Sequence, residues 1–551
     1  MKLNRFYLPL LIIVVGIGLT VYLQFQIPHG AYFSGDAGLK ALLAQQLSVG
    51  ELRFDLLPPS SSWVQQLWNQ GLYPYEEPFV YHINNRYYIT FPFSFPLITA
   101  PFYRLFGYRG LYIIPLFSTW GIWWISYRFC QRLRFNYWIS SLALISIIFA
   151  SPLTIYSGIY WEHTLAIFLI FAGLEMIAIA RNKNRPKLNK LLMILSGFCL
   201  GLSFWFRPES LCAVILIVFL LYLPNIIAFT PLKQISSDLK IDFFDFDFKT
   251  KLICFFSLII TIGLFFVANQ IIYDHYLGIH AIQVIEQKSL SARLKQAINN
   301  FNSLSWAFLI FFPLSIFSVF GVFVHLFKPK SINSNFSQII IYLSCFIFII
   351  GVALIVPGGT AGLIPGGKQW GTRFLLTIVP ILSLANMYTF NSIKNSKIRW
   401  LKTLSYILFT ALIVVSIYLN TYSAIKYLKA SYQKIIPTLE IFRQNSPQNL
   451  VVSHQFVAQE LEPAISKDKF FFKSNDPSSL ILLSRQLLKN NDQDFLYICY
   501  PHRPCELPKI SSEKLKFNFK EQLFTIKFNL IDESGKYPIY SASFEKLKQK
   551  I

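Results

Sequence analysis

The sequence predicts a polytopic α-helical membrane protein with about eleven transmembrane helices and a small α/β domain at its C-terminal end. Three observations predict this class. Charged residues make up only 14% of the 551 residues, whereas soluble domains carry about 25%. Uncharged apolar stretches of roughly 18 or more residues recur, and each is long enough to cross the hydrocarbon core. Beyond about residue 425 the apolar runs shorten to the length of β-strands.

The first apolar stretch runs from Phe6 to Leu23 and follows the basic residues Lys2 and Arg5. It is longer than the apolar region of a signal peptide and no small-residue cleavage site follows, so we expect an uncleaved first span. The segment 95–106 is too short to span and is expected at the interface or as a re-entrant piece. Further spans are predicted at about 109–130, 137–157, 161–180, 191–206, 208–229, 251–272, 304–326, 338–356, 373–390 and 403–421.

Alternate loops are basic, and all of them fall on the same side as the N-terminus. By the positive-inside rule this side is the cytoplasm, so the intervening loops and the C-terminal region face outward. These loops hold many of the basic residues that contribute to the net charge of +23, so the charge is interpreted as an orientation signal and no nucleic-acid partner is expected. The predicted location is the bacterial plasma (inner) membrane, with a cytoplasmic N-terminus. The basic loops are 131–134, 181–190, 328–330 and 394–402.

Two domains are predicted: a transmembrane domain at 1–424, whose first outer loop covers about 25–95, and an extracytoplasmic α/β domain at 425–551. The loop contains an expected helix from Asp36 to Leu47. A β-hairpin is expected around an Asn84-Asn85 turn. Its strands are Phe79–Ile83 and Arg86–Thr90, and those of the C-terminal domain are Leu450–Ser453, Lys469–Lys473, Phe495–Tyr500 and Leu523–Ile531.

Two of the seven cysteines, Cys499 and Cys505, lie in the polar C-terminal region and are close enough in sequence to form a disulfide. Such a bond would persist only in an oxidising compartment. The other five lie in or at the ends of apolar spans, where a cysteine packs as a small apolar residue.

Ionisable residues near a membrane are costly and are candidates for function. Asp36 lies just beyond the first span. Ser34 or Asp36 could cap the following helix, or Asp36 could be a carboxylate held above the membrane, with flanking glycines that let a ligand approach. Glu162 and His163 occupy a tight outer turn. They could complement the dipole of the next helix or bind a divalent metal or phosphate.

Arg207 and Glu209 lie in another outer turn, where they could simply pair with each other. Arg373 begins a span directly after a glycine-rich outer loop at 357–372. Its guanidinium could snorkel to the interface or bind an anionic phosphate bidentately. The weaker candidates are Lys368, Gln369, Trp370 and Glu77.

The triplet Asp245-Phe246-Asp247 matches the metal-binding DxD pattern of many soluble glycosyltransferases. It lies in a short cytoplasmic loop without room for a nucleotide-binding domain, so we interpret it as a solvated stretch before the next span. The chain has no GxGxxG, P-loop or HExxH motif, which argues against nucleotide-driven transport by this chain alone.

The phrases SGDAGLK, FPFSFPLITAP, YWEHTLA, FRPE and GKQWGTRFLLTIVP occur in this order and on the same predicted side of the membrane. In this arrangement the sequence resembles the GT-C membrane glycosyltransferases, which include protein O-mannosyltransferases and lipid A aminoarabinose transferases. The resemblance covers roughly residues 1–390. It implies transfer of a sugar from a polyprenyl-phosphate donor to a glycan, lipid or protein acceptor among the membrane lipids at the outer face.

The resemblance also implies roles for the candidates. Asp36 would act as general base on the acceptor hydroxyl, and we expect inversion from a single displacement. Arg373, with Arg207 and Lys368, would bind the donor phosphate. A divalent metal ion (Mg²⁺, Mn²⁺ or Zn²⁺) on Glu162 and His163 could assist.

Two other functions remain open from sequence. A multi-pass transporter or lipid-linked glycan flippase would need polar groups near the bilayer midplane, and Glu175 is one intramembrane acid of this kind. A scaffold that presents the C-terminal domain would leave the outer charged residues unexplained.

Overall fold

The structure, a computed structural model, divides by contacts into two compact units. Unit 1 comprises Met1–Phe25 and Tyr112–Tyr427, and unit 2 comprises Gln26–Leu111 and Leu428–Ile551. The first outer loop therefore groups with the C-terminal region, while the functional division into domains at 1–424 and 425–551 stays a prediction. The residues described are 4–181, 185–228, 246–282, 289–327, 332–357, 368–394, 398–444, 447–465, 469–510 and 512–547.

Unit 1 is helical. Apolar residues dominate all of its longer helices, as expected of segments that face lipid or one another. The helices are Asn4–Phe25, Ile113–Arg132, Tyr137–Ile148, His163–Ala180, Pro186–Phe206, Ser210–Ala228, Phe248–Tyr273, Leu290–Phe311, Ser315–Phe327, Ile332–Ile355, Ile378–Lys394 and Arg399–Ile417, with a single turn at Ile279–Ala281.

Among the described residues, six helices are long and apolar enough to cross a membrane, and a bent pair brings this to seven. The chain is thus a multi-pass membrane protein. The predicted span at 304–326 is interrupted by a bend, because Leu290–Phe311 and Ser315–Leu326 meet at 102°. Pro313 lies at the break, where a missing N–H and a rigid ring end a helix.

Small residues allow close helix packing inside unit 1. A Cβ added at Gly197 would overlap the backbone of Cys254, and one added at Gly201 would press on Thr261. Both glycines lie on Pro186–Phe206 and face Phe248–Tyr273. Membrane helices commonly use such a small-xxx-small spacing to approach one another.

Unit 2 begins with the first outer loop. The predicted helix from Asp36 to Leu47 is confirmed as Gly35–Ser48. The predicted hairpin is confirmed as β1 (Val80–Ile83) and β2 (Arg86–Ile89), which pair antiparallel. Both turn asparagines have positive φ, 50° and 58°, as a two-residue hairpin turn requires. Further helices are Ser62–Leu67, Ser94–Phe106, Ala424–Gln433 (which begins at the end of unit 1), Ile436–Arg443, Gln455–Leu461 and Pro477–Lys489.

A mixed sheet of six strands forms the centre of the C-terminal region, in the order β4-β3-β5-β8-β7-β6. β3 pairs parallel with β4 and β5, and the remaining pairs are antiparallel. All four predicted strands are present, and the pattern missed β6 and β8. The strands are β3 (Asn449–Val452), β4 (Phe470–Lys473), β5 (Asp494–Ile498), β6 (Lys516–Phe519), β7 (Gln522–Asp532) and β8 (Ile539–Lys546).

One face of this sheet packs against two helices from distant parts of the sequence. Val451 and Phe472 contribute from the strands, Leu483 from Pro477–Lys489, and Trp68 from the first outer loop. The Trp68 indole N–H also donates a hydrogen bond to the Phe471 carbonyl at 3.0 Å. The loop therefore supplies part of the hydrophobic core of unit 2, which explains why the two segments group together.

Candidate active site

Arg207 is the centre of a buried charge cluster in unit 1. Its guanidinium donates to Glu162 at 2.7 Å and also pairs with Glu209. All three side chains are no more than 10% exposed. The predicted pairing of Arg207 with Glu209 is thus present, and Glu162 joins it from the turn before the helix His163–Ala180. Because a buried ion is costly unless it is paired, the two carboxylates fix the position of Arg207.

Arg373 lies beside this cluster on aromatic rings. Its guanidinium carbon is 4.6 Å from the centre of the Trp161 ring and 5.1 Å from that of Phe374. The Arg207 guanidinium is 5.0 Å from the same Phe374 ring, so the two cationic carbons are no more than about 10 Å apart. Two positive groups therefore share one aromatic side chain.

Tyr156 ties the outer turn before Glu162 to the segment that carries Arg373. Its hydroxyl donates to the Trp370 carbonyl at 2.9 Å, and its ring lies 5.9 Å from that of His163. Trp370 is itself anchored, because its indole N–H donates to Asn420 at 3.2 Å.

The remaining candidates of this segment precede Arg373 directly. Gln369 is buried, with 7% exposure, and the Nζ atom of Lys368 is also buried. The structure therefore places both groups inside unit 1 rather than in solvent.

The predicted metal site does not fit the geometry. Glu162 is engaged by Arg207, and its neighbour His163 is packed among the rings of Tyr156, Trp161 and Phe374. Within the described residues, no group of three His, Cys, Asp or Glu side chains could hold a metal ion.

Asp36 lies in unit 2, in the first turn of Gly35–Ser48. Ser34 caps this helix, because its hydroxyl accepts the Ala37 N–H at 3.5 Å. Asp36 is therefore not the cap, and its carboxylate is partly exposed. A carboxylate in a first turn is also favoured by the helix dipole.

The glycines beside Asp36 have a packing role rather than the ligand-access role that the sequence suggested. A Cβ on Gly35 would overlap the Gln459 side chain, and one on Gly38 would overlap the Gln459 backbone carbonyl. Gln459 lies on Gln455–Leu461. The glycines thus let this C-terminal helix pack directly on the helix that carries Asp36.

Other candidates have structural partners. The carbonyl of Glu77, whose side chain is exposed, accepts from the Gln455 side chain at 3.5 Å. Asp247 caps the helix Phe248–Tyr273 by accepting the Thr250 N–H at 3.0 Å, and Asp245 lies outside the described residues. Glu175 pairs with Arg132 at 2.5 Å and with Arg128 at 3.5 Å, so a local charge balance accounts for this intramembrane acid.

The sequence-based search missed the aromatic side chains of the site. Trp161, Phe374 and Tyr156 are buried and hold the two arginines and His163. Two of them had a signal in the motifs YWEHTLA and GTRFLL, where Trp161 precedes Glu162 and Phe374 follows Arg373. Tyr156 lies outside both motifs. Aromatic residues are so frequent in this chain, however, that adjacency alone does not separate site rings from packing.

No protein-family profile matches the sequence, and no curated protein is significantly similar to it. Among solved structures, ArnT from Cupriavidus metallidurans bound to undecaprenyl phosphate is similar over 97% of both chains, with 9% identity and a TM-score of 0.53. The chain therefore has a GT-C-like fold. ArnT without ligand (10% identity, 96% and 97% coverage, TM-score 0.48) and the oligosaccharyltransferase AglB from Archaeoglobus fulgidus (13%, 89% and 69%, 0.47) also match, but their TM-scores are too low to establish a shared fold.

The GT-C-like fold agrees with the fold that the resemblance of the sequence motifs implied. A fold by itself does not define a reaction, because one fold supports many activities.

Proposed function

We propose that this protein is a glycosyltransferase that moves a sugar from a polyprenyl-phosphate donor to a glycan, lipid or protein acceptor at the outer face of the membrane. The GT-C-like fold supports this reaction class, because the similar ArnT structure contains undecaprenyl phosphate. Such a donor is itself anchored in the bilayer and brings its phosphate to the interface.

The observation that carries the proposal is the placement of Arg373. The Arg373 guanidinium lies over the rings of Trp161 and Phe374, which limit where the side chain can go. A guanidinium binds phosphate bidentately through its N–H groups. Lys368 would add positive charge. Arg207 would contribute at longer range, since Glu162 and Glu209 already pair with it.

In the proposed reaction Asp36 accepts the proton of the acceptor hydroxyl as general base. The hydroxyl oxygen forms a bond to the anomeric carbon while the bond from that carbon to the phosphate oxygen breaks. Positive charge develops on the sugar ring, as in glycoside chemistry, and the lipid phosphate leaves with the bonding electron pair. Arg373 stabilises that negative charge, and a single displacement inverts the anomeric configuration.

The proposed topology has about eleven spans, a cytoplasmic N-terminus and unit 2 outside the cytoplasm of a bacterial plasma membrane. The distribution of basic loops supports this orientation. The disulfide between Cys499 and Cys505 supports an oxidising location for unit 2.

A divalent metal is not needed for this scheme, because Arg373 can supply the positive charge and Glu162 is already paired. Full activity after thorough chelation is the expected result. Loss of activity that added Mg²⁺, Mn²⁺ or Zn²⁺ restores would contradict this part of the scheme.

The activity is tested by incubating purified protein with a labelled polyprenyl-phosphate sugar and an acceptor extract of cell-envelope glycans and lipids. Acceptor-dependent release of lipid phosphate and label transfer are expected. Movement of intact donor across a vesicle membrane without cleavage would instead identify a transporter or flippase.

Asp36→Asn should lower the transfer rate at least about 100-fold without unfolding the protein. Asp494→Asn, at an exposed aspartate of unit 2, is the matched control, and near-normal transfer by Asp36→Asn would exclude Asp36 as the base.

A further inference from the structure

Three parallel strands of unit 2 end at one edge of the sheet. In space they lie in the order β4-β3-β5. The chain leaves β3 for β4 on one side and then crosses to β5 on the other side of β3. This arrangement is a topological switch point, and open α/β sheets bind ligands at such points, outside the carboxyl ends of the strands.

Side chains that follow β3 and β5 meet at this edge. The Tyr500 N–H donates to the Ser453 hydroxyl at 2.8 Å. The imidazole of His454 stacks on the Tyr500 ring at 4.9 Å and 21°. Phe456 lies 4.7 Å from His454 and 5.5 Å from Tyr500, and His502 lies 5.4 Å from Tyr500. We call these four side chains (His454, Phe456, Tyr500 and His502) the ring cluster.

Within the ring cluster, His454 is held in one tautomer. Its Nδ1 atom accepts the Phe456 N–H at 3.3 Å, so the neutral ring carries its proton on Nε2 and can donate there. Burial and, after it, the positive charge of Arg503 lower the pKa of His454 to about 4. At neutral pH the imidazole is therefore an uncharged hydrogen-bond donor.

The loop after β5 adds an exposed positive charge. Arg503 is solvent-exposed, and its charge acts on both His454 and Tyr500. The loop is closed by the disulfide between Cys499 and Cys505. This closure limits the conformations of the loop and so reduces the entropy lost when a ligand binds. The nearby Lys473 is already paired with Glu76.

We propose that this edge of unit 2 binds an anionic saccharide. Aromatic rings suit the C–H face of a pyranose, the Nε2–H of His454 suits a hydroxyl, and Arg503 suits a carboxylate or phosphate substituent. Each of the three features of such a ligand thus has a counterpart in the ring cluster and its loop. The site is independent of the proposed glycosyl transfer, and its occupancy does not require that reaction.

The test is saturation-transfer NMR with the full-length protein in detergent. Glucuronic acid and glucose are the observed probes, and the affinity of inorganic phosphate is measured by its competition with glucuronic acid. Glucuronic acid is expected to bind at least about tenfold more tightly than glucose, because only the former engages a charge-assisted bidentate contact. Arg503→Gln should weaken glucuronic acid binding by at least about tenfold. Arg485→Gln, an exposed arginine on Pro477–Lys489, is the matched control and should leave binding unchanged.

Phe456→Leu keeps an apolar side chain but removes a ring, and should also weaken glucuronic acid binding. Arg373→Gln, in the unit 1 cluster, should leave the affinity unchanged and so separates this site from donor binding. The proposal is overturned if glucuronic acid does not bind saturably, if Arg503→Gln binds as well as wild type, or if Arg373→Gln abolishes the signal. Phosphate that binds as tightly as glucuronic acid would also overturn it, because the rings would then contribute nothing.

Discussion

The substitution Arg207→Gln tests whether charge compensation holds the unit 1 cluster together. It would leave Glu162, which is 1% exposed, and Glu209, which is 8% exposed, without their shared cation. Removing one partner of a buried ion pair typically costs about 3–5 kcal/mol, because the remaining charge stays desolvated. The lost contact between the guanidinium and Phe374 adds about 1 kcal/mol. We therefore expect a loss of about 4–6 kcal/mol in the free energy of unfolding of unit 1.

The matching triple variant Glu162→Gln, Arg207→Gln, Glu209→Gln removes all three charges and should recover most of this loss, since neutral amides can hydrogen-bond to one another. Thermal unfolding of the purified protein, followed at a fixed scan rate, measures both variants. Arg399→Gln, at an exposed arginine, should melt like wild type. The reasoning would be refuted if the single variant and the triple variant were equally stable. A raised KM for the donor in the folded triple variant would show that Arg207 also binds phosphate.

Three further predictions concern unit 2. Gly38→Ala should destabilise it by about 1–3 kcal/mol through overlap with the Gln459 carbonyl, measured by thermal unfolding. The control Gly18→Ala, where nothing lies within 4 Å, should leave stability unchanged or raise it by up to about 1 kcal/mol. Equal effects of the two substitutions would contradict the packing role of Gly38. Burial raises the pKa of Glu462 to about 7, and the hydrogen bond from the Tyr75 hydroxyl offsets part of the rise. The folded state thus binds this proton more tightly than the unfolded state. The free energy of unfolding should therefore fall by about 3 kcal/mol in all as pH rises from about 4.5 to 7. Glu462→Gln should remove this fall, and an unchanged pH profile of the melting temperature would argue against it. Thiol titration of unreduced, denatured protein should find five reactive cysteines. Replacing Cys499 and Cys505 by serine should lower the free energy of unfolding by about 2 kcal/mol. Seven reactive thiols before reduction would disprove the bond.

Much of the local structure could be predicted from sequence because it depends on short-range rules. The Asn84-Asn85 pair specifies a hairpin turn since asparagine tolerates positive φ. Ser34 begins a helix because its hydroxyl satisfies a free N–H. By contrast, the break at Pro313 was missed, because a single proline within a hydrophobic run does not show whether the helix is kinked or ends.

The site was predicted only in part, for a related reason. The sequence singled out Arg207, Glu162 and Arg373 because charges next to apolar spans are expensive. It could not show that one carboxylate from each of two different turns would pair with the same arginine. It therefore left a metal on Glu162 open, which the pairing in the folded chain argues against.

By itself, the sequence determined that this protein is a multi-pass membrane protein, since apolar length and charge depletion are properties of local segments. It also indicated the GT-C-like fold through the order of its motifs. Tertiary structure alone decided which groups share a cluster, that Gly35 and Gly38 serve packing, and that the ring cluster lies at a switch point of the sheet. The physical reason is that pairing and close packing depend on contacts between segments far apart in the chain, and no local pattern encodes those partners.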